Sequence, residues 1–363
     1  MNKNVSIYLD LLRLCAAIAV LLGHAHGYFI PSMPLWIASH ADEAVGAFFV
    51  LSGFVITFVL MEKEKTYQAY IYARFSRIFS VVLVALVATY VIDKIGRHYD
   101  AVSYDTIPFY DDHYLASLVR ALTFTNEFWT SHSVFGSNEA YWSLGFEIPY
   151  YVAAGLFVFL PGRLGLLATV LFLVLAGPKI ALYFPLWLLG VATFKVASSK
   201  MFNLSSTAAV ACFVASLVLY VLVKLLFADY KLPMNTTVGL QEGLQSLAYY
   251  FGISLAVAMS IFAVSRLDRS IDISFAFVTP YLQWMAGGSF TLYLVHQPLL
   301  TALRAIYPNI ALSPVAGYLG VVGIVAICYA LAEIGERRKR WYGQLGLQLI
   351  RPIERRIGSS SAH

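Results

Sequence analysis

An apolar run near the start of the chain holds three ionisable groups, Asp10, Arg13 and His24. Such groups are expensive in lipid and rare there without a task, so each is a candidate for chemistry. On a helix of 3.6 residues per turn, Arg13 and His24 stand about three full turns apart on one face, ~16 Å along the axis. Asp10 precedes Arg13 by one turn and is placed to pair with it. His26 is rotated ~200° from His24 and points away. A histidine, with an unperturbed pKa of ~6.5, suits proton transfer near neutral pH. The plainer alternative is a structural ion pair at Asp10–Arg13 with an interfacial histidine beyond it.

Other segments add to this stripe. Arg74 and Arg77, spaced i and i+3 at the entrance of an apolar run, present two guanidinium groups suited to phosphate. The alternative is a positive anchor at the inner membrane face. Glu147 lies about two turns into another run, after Trp142 and Ser143, at a depth similar to His24. A lone intramembrane carboxylate needs a partner, and His24 is the natural candidate. The small residues of Gly46-Ala47-Phe48-Phe49-Val50-Leu51-Ser52-Gly53-Phe54 permit close helix packing.

These residues must be carried by elements that live in lipid. The 363 residues are 60% hydrophobic and 12% charged, against roughly 25% charged in soluble domains. The 24 Tyr, 25 Phe and 6 Trp fit aromatic belts at two interfaces. A span needs about 20 mainly apolar residues. That length predicts an all-α, polytopic helical bundle of about ten spans, near 7–28, 44–61, 78–95, 141–160, 163–178, 180–197, 205–227, 246–265, 285–305 and 313–334. Gly177-Pro178 divides one long apolar stretch, so the fifth and sixth spans could instead be one kinked or re-entrant element. The first run is too long for a removable signal and carries Asp10 and Arg13. With ten spans and the N-terminus inside, 17 of the Lys and Arg residues fall on the inner side and 7 on the outer, placing both termini in the cytoplasm. Residues 1–340 then form one transmembrane domain and 341–363 a short cytoplasmic tail. Its Arg337–Arg340 cluster reads as a topology signal against anionic lipid.

Cys15, Cys212 and Cys328 lack CxxC spacing, which speaks against a disulfide framework or zinc site. No basic stripe interleaved with aromatics points to nucleic acid. A metal site from His98, His113 and His132 has no ligand pair at helical or tight-turn spacing. The outer-loop aromatics Tyr104, Tyr110, Tyr114 and Trp129 read as interfacial anchors, with sugar stacking as the alternative.

Arg13-x10-His24, the Gly46–Phe54 stretch, Arg74-x-x-Arg77 and Trp142-Ser143-Leu144-x-x-Glu147 resemble acyltransferase family 3. Ser289-Phe290-x-Leu292-Tyr293-Leu294-x-His296-x-Pro298 is similar to that family's late motif. The resemblance runs from Ile7 to about Glu333 with its motifs in order. It implies a multi-pass O-acyltransferase of a bacterial inner (plasma) membrane, using acyl-CoA, most often acetyl-CoA, as donor substrate. The implied acceptor is a surface or lipid-linked glycan. In that frame His24 is the catalytic base, or an acyl-carrying nucleophile, with Glu147 orienting it. Arg13, Arg74 and Arg77 hold the donor, and Asp10, Trp142, Ser143, Tyr293 and His296 support the site. His296 also reads as a core histidine bonded between helices. Many relatives carry a second acid after the glutamate matched by Glu147, where this chain has Ile148. Some carry a fused esterase-like domain for which it has no room, so acceptor selection is expected in the membrane unit, its loops or a separate partner. The alternative from another class is a transporter or flippase, against which no inverted repeat is found. The charge count predicts that a thiol-reactive probe labels Ser199→Cys from the cytoplasm and Ser103→Cys from outside. The reverse pattern, or both on one side, undoes the orientation.

Overall fold

Long apolar runs become helices because a helix satisfies its own backbone where water is absent. The computed structural model describes residues 2–107, 110, 113–199, 204–234, 239–268, 273, 277–346 and 348. Lys200, Arg269, Arg351, Arg355 and Arg356, counted above on the inner side, lie outside these. The helices are α1 (Lys3–Tyr28), α2 (Leu35–Ala38), α3 (Ala41–Glu62), α4 (Tyr67–Tyr99), α5 (Ala101–Asp105), α6 (Tyr114–Thr123) and α7 (Leu144–Phe159). They continue as α8 (Gly162–Ala176), α9 (Pro178–Ser198), α10 (Ser206–Leu226), α11 (Leu240–Ser265), α12 (Thr279–Ala286), α13 (Ser289–Ile306) and α14 (Pro314–Ile334). A 3₁₀ turn, Glu139–Ser143, leads into α7. Asn2, Thr66, Ser205 and Ser313 cap α1, α4, α10 and α14 by accepting backbone N–H groups in the first turn. Among the described residues there is no β-strand, only an isolated bridge between Phe135 and Asn138.

The architecture is an all-α polytopic bundle. Among the described residues, eight helical segments are long and apolar enough to cross a membrane, and they coincide with eight of the ten expected spans. The other two expected spans are also helical, but α8 has only 15 residues and α13 has 18 with a polar interior face. Gly177, at φ +107°, separates α8 from α9, so that stretch is two helices. Its backbone lies so close to Trp129 that a Cβ would meet the Trp129 nitrogen at 2.6 Å. The lipid-facing row Val210, Val214, Leu217, Val221 and Leu225 on α10 is exposed, whereas Glu43, Asp93, Glu127, His296 and Gln297 are buried.

Three packing devices position the centre of the bundle. First, α3 crosses α9 almost backbone to backbone: a Cβ on Gly53 would lie 2.1 Å from the Trp187 carbonyl, and one on Gly190 2.1 Å from that of Val50. The small-residue stretch in α3 therefore packs as its composition predicted. Second, the buried Glu43 on α3 accepts from Tyr249 of α11 at 2.5 Å and pairs with Lys224 of α10 and Lys231. Third, Pro298 has no N–H to offer the Leu294 carbonyl four residues earlier in α13. Asn138 fills that gap, donating from Nδ2 to Leu294 O at 2.8 Å and to Thr89 Oγ1 of α4 at 3.0 Å. Asp93 holds the same loop by accepting from the Ser137 backbone and hydroxyl at 2.9 and 2.5 Å.

The outer-loop aromatics are used in this packing. Tyr104 is buried edge-on against Tyr110, and Trp129 donates to the Leu175 carbonyl. His132 bonds Glu127, which also pairs with Lys179. Because nothing flexible lines the α3–α9 crossing, Gly190→Val should force the helices apart, where overpacking alone costs about 1–3 kcal/mol. The expected outcome is a sharply lower melting temperature in detergent. An unshifted transition would contradict the close crossing.

Candidate functional site

The polar face of α1 borders three cavities in succession. At the basic end of the bundle, a cavity of about 420 Å³ is lined by Asp10 and Arg13 of α1, Lys63 and Glu64 after α3, Arg74 and Arg77 of α4, and Lys339 and Arg340 beyond α14. Six cations there face two carboxylates. Asp10 and Arg13 form the expected ion pair at 3.7 Å. Arg74 gives Nη2 to Glu64 at 2.9 Å, while its Nε and Nη1 are buried with no acceptor among the described residues. Buried, unmatched guanidinium N–H groups are costly unless an anion completes them. The paired arginines thus share one cavity with donors to spare, as their spacing suggested.

Arg13, Arg74 and Arg77 also line the next cavity, so the two adjoin across these side chains. This inner space is narrow, about 70 Å³, and runs past Phe48, Phe49, Ser52, Ser143, Glu147, Tyr151, Phe290 and Tyr293. Tyr293 donates to Ser143 Oγ at 2.9 Å, tying α13 to the turn before α7. Tyr151 donates to Glu147 one helical turn earlier, and itself accepts from Ser52 at 3.3 Å.

The third cavity, about 120 Å³, lies at the other end of α1 and is lined by His24, Asp42, Glu139, Trp142, Met234 and Tyr250, among others. Trp142 faces it while the adjacent Ser143 faces the inner cavity, so one turn of chain separates the two. Asp42 is paired with Lys231 at 3.0 Å. Burial opposes charge on Lys231, but Glu43 and Asp42 outweigh it and raise its pKa above the usual lysine value.

His24 is bound at Nδ1 to Nε2 of His296, 2.9 Å away, and His296 Nδ1 lies 3.1 Å from the Leu292 carbonyl. This fixes the tautomers. A carbonyl only accepts, so His296 Nδ1 carries the proton and its Nε2 is an acceptor. His24 must then donate from Nδ1, which leaves the lone pair on its Nε2, the nitrogen a proton acceptor or nucleophile uses. His24 therefore has an orienting partner, but not the expected one. Glu147 is bonded to Tyr151 instead and lines the inner cavity together with Arg13 and Arg77. His296 is both a core histidine between helices and the partner of His24.

Arg13, His24, Arg74, Arg77, Glu147, Trp142, Ser143, Tyr293 and His296 are thus all brought to one line of cavities, with Asp10 at its basic end. Sequence reasoning missed Tyr151, Asp42, Glu139, Lys339 and Arg340. Tyr151 was detectable as the i+4 neighbour of Glu147. The Arg337–Arg340 cluster divides: Arg337 stacks on Trp284 at 4.1 Å and pairs with Glu333, whereas Lys339 and Arg340 face the basic cavity. The chain turns at Gly335 and folds that cluster back over α4, where a Cβ on Gly335 would meet the Ser80 carbonyl at 2.7 Å.

Residues 6–333 match a family model described as an acyltransferase domain. No curated protein and no solved structure gives a significant match.

The basic cavity makes a direct prediction about anion binding. Arg74→Ala with Arg77→Ala should weaken binding of coenzyme A strongly, since charge-assisted contacts contribute about 1.5–3 kcal/mol each. Replacement of both by Lys should restore only part, because the bidentate fork is lost. Unchanged affinity in the double Ala protein, measured by calorimetry, would move the phosphate site elsewhere.

Proposed function

The chain belongs to acyltransferase family 3, and on that premise we propose that it transfers an acyl group, acetyl in the simplest case, from cytoplasmic acyl-CoA to a hydroxyl of a surface or lipid-linked glycan. The observation that carries it is the His24–His296 pair at the floor of the outer cavity, three turns of α1 from Arg13. A base at one end of a spanning helix and a phosphate site at the other suit a substrate that enters on one side and is used on the other.

In this reading the basic end faces the cytoplasm, and Arg13, Arg74, Arg77, Lys339 and Arg340 hold the donor phosphates. The pantetheine arm runs through the narrow inner cavity past Phe48 and Tyr293. Glu147 and Tyr151 supply polar contacts to its amides, a positioning role. His24 Nε2 takes the proton of the acceptor hydroxyl as its oxygen attacks the thioester carbon. The C–O bond forms, the C–S bond breaks, and the thiolate leaves with the proton that His24 returns. His296 accepts from His24 Nδ1 throughout, so the imidazolium stays oriented. An acyl-histidine route uses the same nitrogen as nucleophile in two half-reactions. The transporter reading gains no observation of its own.

His24→Ala should abolish acyl transfer at normal membrane abundance, as loss of a general base typically costs 10²–10⁴-fold. His26→Ala, on the opposite face, should be mild. His296→Ala should lower kcat more than KM, and His296→Gln should recover part, because its side-chain oxygen can still accept from His24. Near-normal transfer by His24→Ala, measured with labelled acetyl-CoA, would overturn the assignment.

A further inference from the structure

The outer cavity has a charge pattern that none of the donor chemistry explains. His24 forms part of its wall, and around it stand the carboxylates of Asp42 and Glu139, the indole of Trp142 and the Tyr250 ring. Among the described residues, no lysine or arginine lines this space. Lys231 touches Asp42 from outside the lining and is shared with Glu43 at 3.2 Å. Glu139 forms no ion pair among the described residues. Tyr250 is fully buried and borders the cavity, and its hydroxyl has no hydrogen-bond partner among the described residues. A buried hydroxyl left unmade is unfavourable unless a bound group completes it.

We infer that this cavity is a sugar site selective for a neutral or amino sugar, and that it rejects acidic ones; the inference rests on the acyl-transfer reading above. Carboxylates accept only, so they match a surface of hydroxyl or ammonium donors. Vicinal hydroxyls can donate to Glu139 and Asp42, and an amino group can pair with Glu139, whose basic neighbour is His132 and which meets no lysine or arginine among the described residues. Tyr250 can bond either a hydroxyl or the ring oxygen. Trp142 offers an apolar face to the C–H side of a pyranose, with His24 Nε2 left for the hydroxyl that reacts. A uronic acid, sulfate or phosphate substituent would be held among two carboxylates with no cation in the wall. Such like-charge placement is the usual means of excluding a wrong partner.

The full chain in nanodiscs, open on both faces, tests this with labelled acetyl-CoA and equal concentrations of methyl glucoside, methyl glucosaminide and methyl glucuronide. The inference expects His24-dependent labelling of the first two at least tenfold faster than of the glucuronide. Asp42→Asn with Glu139→Gln should narrow that ratio. Equal labelling of the glucuronide would overturn the selectivity and leave acyl transfer standing. If no sugar is labelled and thioester loss does not depend on His24, the acyl-transfer reading itself fails. Where none of the three sugars serves as acceptor, the selectivity is read at Met234→Cys, a residue of the same wall. A cationic thiosulfonate should modify position 234, followed by peptide mass, at least tenfold faster than an anionic one of equal size. Equal rates would overturn the inference on that arm.

Discussion

The hydrogen bond from His24 Nδ1 to His296 Nε2 joins helices 272 residues apart in sequence and sets which nitrogen of His24 is free. Its direction depends on the Leu292 carbonyl, which consumes the only proton of the neutral His296 ring. That carbonyl sits in a helix with a proline four residues after Leu294, and the carbonyl freed there is taken by Asn138. The loop that carries Asn138 is itself held by Asp93 of α4 through Ser137. A short chain of buried polar groups therefore runs from an outer loop, through α13, to the imidazole of His24 on α1. Buried networks of this kind specify geometry because each unsatisfied member would be costly.

The rest of the site follows from placing one helix against that pair. With His24 fixed, the periodicity of α1 puts Arg13 three turns away, beside Arg74 and Arg77 of α4. The excess of cations at that end and of carboxylates at the other gives the bundle two chemically distinct mouths. Between them lies the narrow inner cavity, where Phe48, Phe49 and Phe290 stand beside Ser52, Ser143 and Glu147, and one turn of chain parts it from the histidine mouth.

Much of this was legible in the sequence because lipid makes the rules strict. Hydropathy located the apolar helices, and 3.6-residue periodicity placed Arg13 and His24 on one face. The i, i+3 spacing put Arg74 and Arg77 in one cavity. What periodicity cannot supply is which helix a buried group meets. Counting turns put Glu147 and His24 at similar depth, and depth alone suggested a pair. The rotation of α7 gives Glu147 to Tyr151, and α13 brings His296 to His24. Lys339 and Arg340 were hidden for the same reason: a cationic cluster after a last span reads as a topology signal, and only the packing after Gly335 shows that two of its members line the basic cavity. Asp42 and Glu139 carried no signal, since isolated acids in outer loops are ordinary.

The central claim is that an acyl group enters at the arginine mouth and leaves at the histidine mouth. Sealed inverted membrane vesicles, given labelled acetyl-CoA from the exposed cytoplasmic face, test it most directly. The account predicts that the labelled ester forms in the lumen, protected from added esterase until detergent opens the vesicle. An ester formed on the same face as the donor, and cleaved without detergent, would contradict it.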